Sequence, residues 1–356
     1  MSVMVDKMSA EQGRPLAVIG QVLLVSLVAI IGWNIALPGL DPAFLETQSR
    51  AGGASALSIL ALGVWPILTA LALGQIVRLI TPRLADSKFL VAAENVGALL
   101  LAGSQAYGIA LSFSAMGRLT DESSFGLALV ISSLVGGVAL MLVMSRQVVL
   151  PSLASAFWML WLLPDLINKP PQIYSSLYLF RTGGFNGSHL VVPISVIIGG
   201  VALAIFAIRT VMTNEDRGTL TRDVTKSVFL MNVVVWPPFL AASAAGYLLM
   251  PLAFVTPDSF SDASSVTIYF LAMTALLIPV FVFGYRRYFA HKGVTLPLTS
   301  MLVLAITQIV LIVGGEFVTQ RVIFPVPLSG TTLLVLVAVG YALIEALRHP
   351  LSTSNV

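Results

Sequence analysis

Between residues 15 and 347, long apolar stretches alternate with short breaks of glycine, proline and charged residues. The stretches cover about 15–36, 55–80, 89–112, 124–145, 149–166, 189–209, 227–250, 265–285, 295–316 and 328–347. Each approaches the roughly 20 residues that a helix needs to cross about 30 Å of hydrocarbon. The pattern predicts an all-α polytopic membrane protein of about ten transmembrane helices, with spans 1–5 in residues 15–166 and spans 6–10 in 189–347. Residues 1–14 and 348–356 are predicted as tails and 167–188 as an external linker between the halves. The break between the fourth and fifth stretches is the weakest, because only Ser145-Arg146-Gln147 and Pro151 interrupt the apolar run. The first tail mixes two acids with its bases and no small-residue cleavage pattern follows, so no removable signal peptide is predicted.

Composition narrows the function classes. Of 356 residues 57% are hydrophobic and 10% charged, with a mean hydropathy of +0.96, so a soluble catalytic or nucleic-acid-binding domain has no place in the chain. With the N-terminus in the cytoplasm, 14 of the 19 lysines and arginines fall on that side. Only Arg50, Arg118, Lys169, Arg181 and Arg321 fall on the other. This is the positive-inside asymmetry, and an even number of spans then places both termini in the cytoplasm, with the chain in the lipid bilayer of the cytoplasmic (inner) membrane.

Candidate chemistry is sparse. The absence of cysteine excludes disulfides, thiolate metal sites and cysteine nucleophiles. His189, His291 and His349 sit far apart at predicted helix ends, no paired carboxylates lie within a span, and no phosphate-binding loop or nucleophile elbow occurs. Neither an enzyme nor a cofactor or metal is predicted. Intramembrane charges are costly, and Glu94 and Glu345 are expected to snorkel toward the cytoplasmic surface, while Asp165 and Glu316 lie at span boundaries. Asn186-Gly187-Ser188 matches a glycosylation triplet that also arises by chance. Prolines are more informative: Gly63-Val64-Trp65-Pro66 lies in the second span and Trp236-Pro237-Pro238 in the seventh, and Pro325-Val326-Pro327 leads into the tenth. A proline in a spanning helix frees a carbonyl and bends the axis. The second and seventh spans hold corresponding positions in two five-helix halves, as inverted repeats require.

Four islands of sequence resemble one family, the SecY protein-conducting channels. Leu37-Pro38-Gly39-Leu40 is similar to that family's Ile-Pro-Gly signature. Residues 51–66, Ala-Gly-Gly-Ala-Ser-Ala-Leu-Ser-Ile-Leu-Ala-Leu-Gly-Val-Trp-Pro, resemble its Gly-Gly-Ala-Leu-Ser-x-x-Ser-Ile-Phe-Ala-Leu-Gly-Ile-Met-Pro segment. Asn232, Pro238 and Ala241-Ala242-Ser243 look like its seventh helix, and Phe324 to Leu334 is similar to the entry of its tenth. The resemblance implies two inverted five-helix halves, closed at the midplane by a ring of aliphatic side chains, with a lateral gate between helices 2–3 and 7–8. Carried over by motif position, the pore-ring candidates are Val64, Leu68, Leu240 and Val335, and the kink and gate candidates are Pro66, Pro238 and Asn232. A spacing of four puts Val64 and Leu68 on one helix face. The fifth-span ring residue is not placed, although Ser155 is near the position.

The resemblance also implies polypeptide substrates, a SecE-like single-span subunit clamping the halves, and a SecA-type motor or ribosome docking on basic cytoplasmic loops. Here the loops are short, about 210–226 and 286–294, and Arg286, Arg287 and Lys292 are the docking candidates in the second. Only eleven residues separate Leu40 from Gly52, so the plug is expected to be truncated or absent. A diverged, short-loop paralogue fits these departures. The alternative is a transporter or flippase for small molecules or lipid-linked glycans, which also shows ten or more spans and internal inversion. It would place a polar, partly charged cavity at the midplane, where this sequence puts aliphatic residues.

Overall fold

The computed structural model describes residues 2–50, 57–85, 87–121, 123–148, 153, 155–183, 188–212, 231–255, 263–317 and 329–348. The first half of the chain forms α1 (Ser2–Asn34), α2 (Pro42–Arg50), α3 (Trp65–Ile80), α4 (Lys88–Ala115), α5 (Ser124–Gln147) and α6 (Phe157–Arg181). The second forms α7 (Ser188–Met212), α8 (Asn232–Val255), α9 (Ala263–His291), α10 (Leu298–Ile309) and α11 (Gly330–Arg348). α10 continues through a π-helical turn, Val310–Gly314, so that its span runs to Phe317. Apart from the short α2, each helix answers to one predicted stretch. Eight are long and apolar enough to cross a membrane. The others are α3, with 16 residues, and α6, which carries Asp165, Lys169 and three internal prolines.

Helix packing repeats between the halves. α1 packs on α5 and α6, α3 on α4 and α5, and α4 on α5. The same five pairings recur as α7 on α10 and α11, α8 on α9 and α10, and α9 on α10. With five helices in each half besides the short α2, an odd number, the second half runs in the reverse direction, as an inverted repeat requires. The halves meet where α3 packs on α8 and α9, and where α11 packs on α1 and α6. Small residues allow close approach between helices in a membrane: Ala98, Ala102, Ala106 and Ala110, spaced by four, form a fully buried stripe on α4.

Three predicted boundaries are corrected. The second span does not begin as a helix at residue 55, since Leu57 to Val64 run as a succession of turns and α3 starts at Trp65. Pro66 therefore sits in the first helical turn, where its missing N–H costs nothing and no kink arises. The expected linker 167–188 is helical to Arg181, and α6 itself starts at Phe157 rather than 149. Proline φ is compatible with a helix, an Asp165–Lys169 ion pair of 2.9 Å spans the turn before Pro170-Pro171, and Ser175 and Ser176 donate to the Pro171 and Gln172 carbonyls. The expected loop from 286 is also helical, with Arg286 and Arg287 on the last turns of α9, so the connection to α10 is Lys292 to Pro297. In both helices the stop is a glycine in the left-handed region, Gly183 (φ +78°) and Gly293 (φ +82°), rather than the charged residues before it. The 213–226 part of the other basic loop, Asn186-Gly187, residues 51–56 and Phe324 to Leu328 lie outside the described residues.

Non-helical backbone at membrane depth must be enclosed by protein, and the Leu57–Val64 segment is. Leu37 N–H donates to the Leu57 carbonyl (2.8 Å) and Ile59 N–H to the Ile35 carbonyl (3.0 Å), stitching the segment to the end of α1. Glycines make the slot: a Cβ on Gly32 of α1 would collide with the Leu60 side chain, and one on Gly137 of α5 with the Ile59 carbonyl oxygen. Gly136, next to it, faces open space. Gly137→Ala is expected to destabilise by about 1–3 kcal/mol through overpacking against backbone. Gly136→Ala, with only helix propensity to gain, should be neutral or stabilising. Thermal melts of the two purified variants in one detergent make the comparison, and equal melting temperatures would remove the slot.

Candidate functional site

Val64, Leu68, Leu71, Gln75 and Arg78 are spaced by four, three, four and three, so they form one continuous stripe along the face of α3. The stripe is aliphatic at its first three positions and polar at its last two. Against its polar end lies a cavity of about 260 Å³, walled by Gln75, Arg78, Trp158, Asn232, Trp236 and Tyr285 among others. The cavity thus lies among α3, the start of α6, the start of α8 and the end of α9. It faces the end of the bundle where α3, α5, α7 and α9 finish in Arg78, Arg146, Arg209 and Arg286-Arg287, called here the basic end.

Two pairs of polar side chains stand at the cavity, Arg78 with Glu94 and Tyr285 with Gln75. Arg78 binds Glu94 of α4 through both nitrogens, Nη1 to Oε1 at 2.5 Å and Nη2 to Oε2 at 2.9 Å. Glu94 is buried and lies over Gly74, where any Cβ would strike its carboxylate. This corrects the snorkelling expectation, because Arg78, sixteen residues upstream on the neighbouring helix, supplies the countercharge inside the bundle. Tyr285 of α9 donates to Gln75 Oε1 at 2.9 Å and so bridges the two halves. Asn232 lies at the start of α8, half-buried on the cavity wall.

Pro237 and Pro238 lie inside α8. Lacking N–H groups, they leave the carbonyls four residues back, Val233 and Val234, without their helical donors. Gln308 of α10, fully buried, fills the gap: its Nε2 donates to the Val233 carbonyl at 3.1 Å and to the Val234 carbonyl at 2.8 Å. Nothing in the local sequence around residue 308 marks it, since a lone glutamine in an apolar helix has many readings.

On the side of the cavity away from the basic end, α6 and α8 meet through aromatic rings. Trp158 contacts Trp236 edge-on, with centroids 4.9 Å apart, and lies 4.8 Å from Phe239. Trp161 meets Phe239 at 5.1 Å, nearly perpendicular. Such pairs contribute about 0.5–1.5 kcal/mol each beyond the area they bury. The signal was present in the sequence as two aromatic pairs at i, i+3, 158/161 and 236/239, but nothing linear says that they face each other. Ser155, near the expected fifth-span ring position, lies before α6 begins and lines the cavity.

The sequence-derived candidates fall as follows. Val64, the last residue of the turns before α3, and Leu68, Leu240 and Val335, on helices that pack in series, α3 on α8 and α8 on α11, are all buried within one contiguous apolar core. Pro238 is buried inside α8, beneath Gln308, while Pro66 opens α3. Arg286 and Arg287 are exposed, and Arg286 Nε donates to the Leu296 carbonyl at 3.0 Å, fastening the connection to α10, in which Lys292 is half-buried. Where a plug was expected to be truncated or absent, the nine-residue α2 is present. Its Phe44 packs edge-on to Phe113 of α4 at 6.2 Å, beneath the Arg118 guanidinium at 5.1 Å. No cluster of three or more potential metal ligands occurs among the described residues.

No family model and no curated protein matches the sequence. Solved structures do match in fold. The chain is similar to the SecY protein whose plug domain stabilizes the closed state of the translocation channel and maintains a membrane seal, at 14% identity and a TM-score of 0.53, over 95% of this chain and 94% of that one. It is also similar to a protein-conducting channel at 12% identity and a TM-score of 0.53, with 95% and 94% of the two chains covered. Sec61 in the canine ribosome–channel complex from the endoplasmic reticulum matches at 12% identity and a TM-score of 0.56, with the same coverage. The fold is SecY-like, all-α and polytopic, and at these identities the likeness is one of fold.

Removing the amide that serves the proline break has a defined consequence. Gln308→Leu strips two buried carbonyls of their donor and is expected to cost about 1–3 kcal/mol. Restoring the backbone N–H groups with Pro237→Ala and Pro238→Ala in the same chain should recover most of it. Thermal unfolding of the single, double and triple variants measures the coupling, and a penalty that persists in the triple variant would detach Gln308 from the prolines.

Proposed function

We propose that this protein is the channel subunit of a polypeptide translocase, moving or inserting chains across a membrane between its two halves without chemistry of its own. The observation that carries the reading is the α3 stripe: buried Val64 and Leu68 share a core with Leu240 and Val335, while the same face turns polar toward a cavity at the basic end. An aliphatic constriction excludes ions by dewetting, and a polar antechamber gives an entering chain somewhere to shed water. The SecY-like fold over 95% of the chain supports the same reading. The lateral gate is the seam of α3 and α4 against α8 and α9, where Tyr285 and Gln75 form a polar latch. Pro238 and Asn232 bend and begin the α8 side of this seam, and Pro66 starts its α3 side.

By the positive-inside rule the basic end is cytoplasmic, with both termini on that side of the inner membrane. A SecE-like single-span subunit would clamp the halves. A SecA-type motor or ribosome would meet Arg286 and Arg287 on the last turns of α9 and Lys292 on a six-residue connection, rather than a long hairpin. A flippase would need uncompensated polar groups at the midplane. The buried charges beside this cavity, Arg78 and Glu94, neutralise each other.

Photocrosslinking from Leu68 and Leu240 in native membranes, read by mass spectrometry, is expected to trap polypeptide at both positions. Lipid or glycan without polypeptide would overturn the reading. In planar bilayers Val64→Asn and Leu240→Asn are expected to wet the constriction and increase ion leak. Unchanged conductance in both would remove these residues from it.

A further inference from the structure

We infer that the aliphatic constriction of the resting passage is continued by the aromatic cluster of Trp158, Trp161, Trp236 and Phe239 into one dewetted barrier that leaks when either part is lost, and that parting α6 from α8 opens it. This deepens the channel reading above and rests on it. Three observations on the structure converge on the cluster.

The first is position. Trp158 and Trp236 both wall the cavity, and their rings touch at 4.9 Å. One turn further along each helix, Trp161 and Phe239 touch at 5.1 Å. The polar lining contributed by Gln75, Arg78, Asn232 and Tyr285 therefore ends against two successive tiers of aromatic contact. Along the α3 stripe the same change occurs between Gln75 and Leu71, so the edge of the polar region and the rings coincide.

The second is connectivity. α6 closes the first half and α8 belongs to the second, so every one of the Trp158–Trp236, Trp158–Phe239 and Trp161–Phe239 contacts joins the halves. Trp236 and Phe239 also flank Pro237-Pro238, the one place in α8 where two consecutive helical hydrogen bonds are replaced by a side-chain amide from α10. A helix bends most readily at such a break, and because the break lies between the two rings, bending there swings Phe239 relative to Trp236 and parts the tiers of aromatic contact.

The third concerns the segment that could seal instead. In the similar SecY protein the plug domain maintains the membrane seal. Here the helix at the corresponding place in the chain, α2, has nine residues and is fastened through Phe44 to Phe113 and Arg118, at the far end of α4 from the cavity. Bulky rings that fill a passage exclude ions by occupancy, which asks nothing of a plug.

The test uses the full chain in planar bilayers and reads resting ion current. Trp158→Ala with Trp236→Ala is expected to lose the seal, and Trp158→Phe with Trp236→Phe, which keeps rings in place, is expected to restore it. If the alanine pair does not yield folded protein, Trp161→Ala with Phe239→Ala removes the second tier and is read the same way. A tight alanine pair beside a leaking Leu240→Asn would overturn the aromatic seal and leave the channel reading standing. A tight membrane in the alanine variants, Val64→Asn and Leu240→Asn alike would overturn both.

Discussion

A backbone N–H or C=O in hydrocarbon has no water to turn to, so every departure from regular helix in this protein must be compensated from within. Three departures set its architecture. The turns from Leu57 to Val64 are tied to the end of α1 by backbone hydrogen bonds and enclosed by Gly32 and Gly137. The non-helical Gly39–Asp41 stretch is held by Thr120, whose N–H binds the Gly39 carbonyl and whose hydroxyl binds that of Leu40, and by the Arg118 carbonyl, which takes the Asp41 N–H. The proline pair of α8 is served by Gln308. Each compensation comes from a different element, so each irregularity also fixes how two elements sit against one another.

Between these fixed points the two halves are joined by contacts of unequal character. On the α6–α8 side the joint is aromatic and dry. On the α3–α9 side Tyr285 forms a polar bridge to Gln75, beside the Arg78–Glu94 pair. A buried ion pair adds little net stability compared with apolar packing, but losing one partner strands a charge. Arg78 and Glu94 both belong to the first half, on α3 and α4, so their pairing keeps that half intact whatever happens at the seam. The seam itself rests on separate contacts, such as the Tyr285–Gln75 hydrogen bond and the aromatic rings of α6 and α8.

Much was legible in the sequence. Spans follow from hydropathy because twenty apolar residues in a row have one economical fate in a bilayer. Their number and the segregation of arginines needed no tertiary information, and the Pro-Gly and Gly-Gly-Ala islands pointed to the SecY-like fold that the chain adopts. The errors were at the edges. The pattern ends the fifth span at 166 and opens a loop at 286, yet α6 runs on to Arg181, before Gly183, and α9 to His291, before Gly293. Both helices stop where a glycine turns left-handed, a conformation that ends the helical hydrogen-bond ladder.

What the sequence determined by itself was an all-α membrane protein with its apolar spans in order. Only the tertiary structure decided that Glu94 is buried against Arg78, that Gln308 reaches the carbonyls orphaned by Pro237 and Pro238, and that Trp158 and Trp161 meet Trp236 and Phe239 across the halves. The reason is that hydrophobicity and periodicity are properties of a single helix and its solvent. A partner's identity depends on the rotation and depth of two helices at once, and here those are set by irregular segments, the Leu57–Val64 turns and the α8 proline break, whose geometry exists only in the assembled bundle.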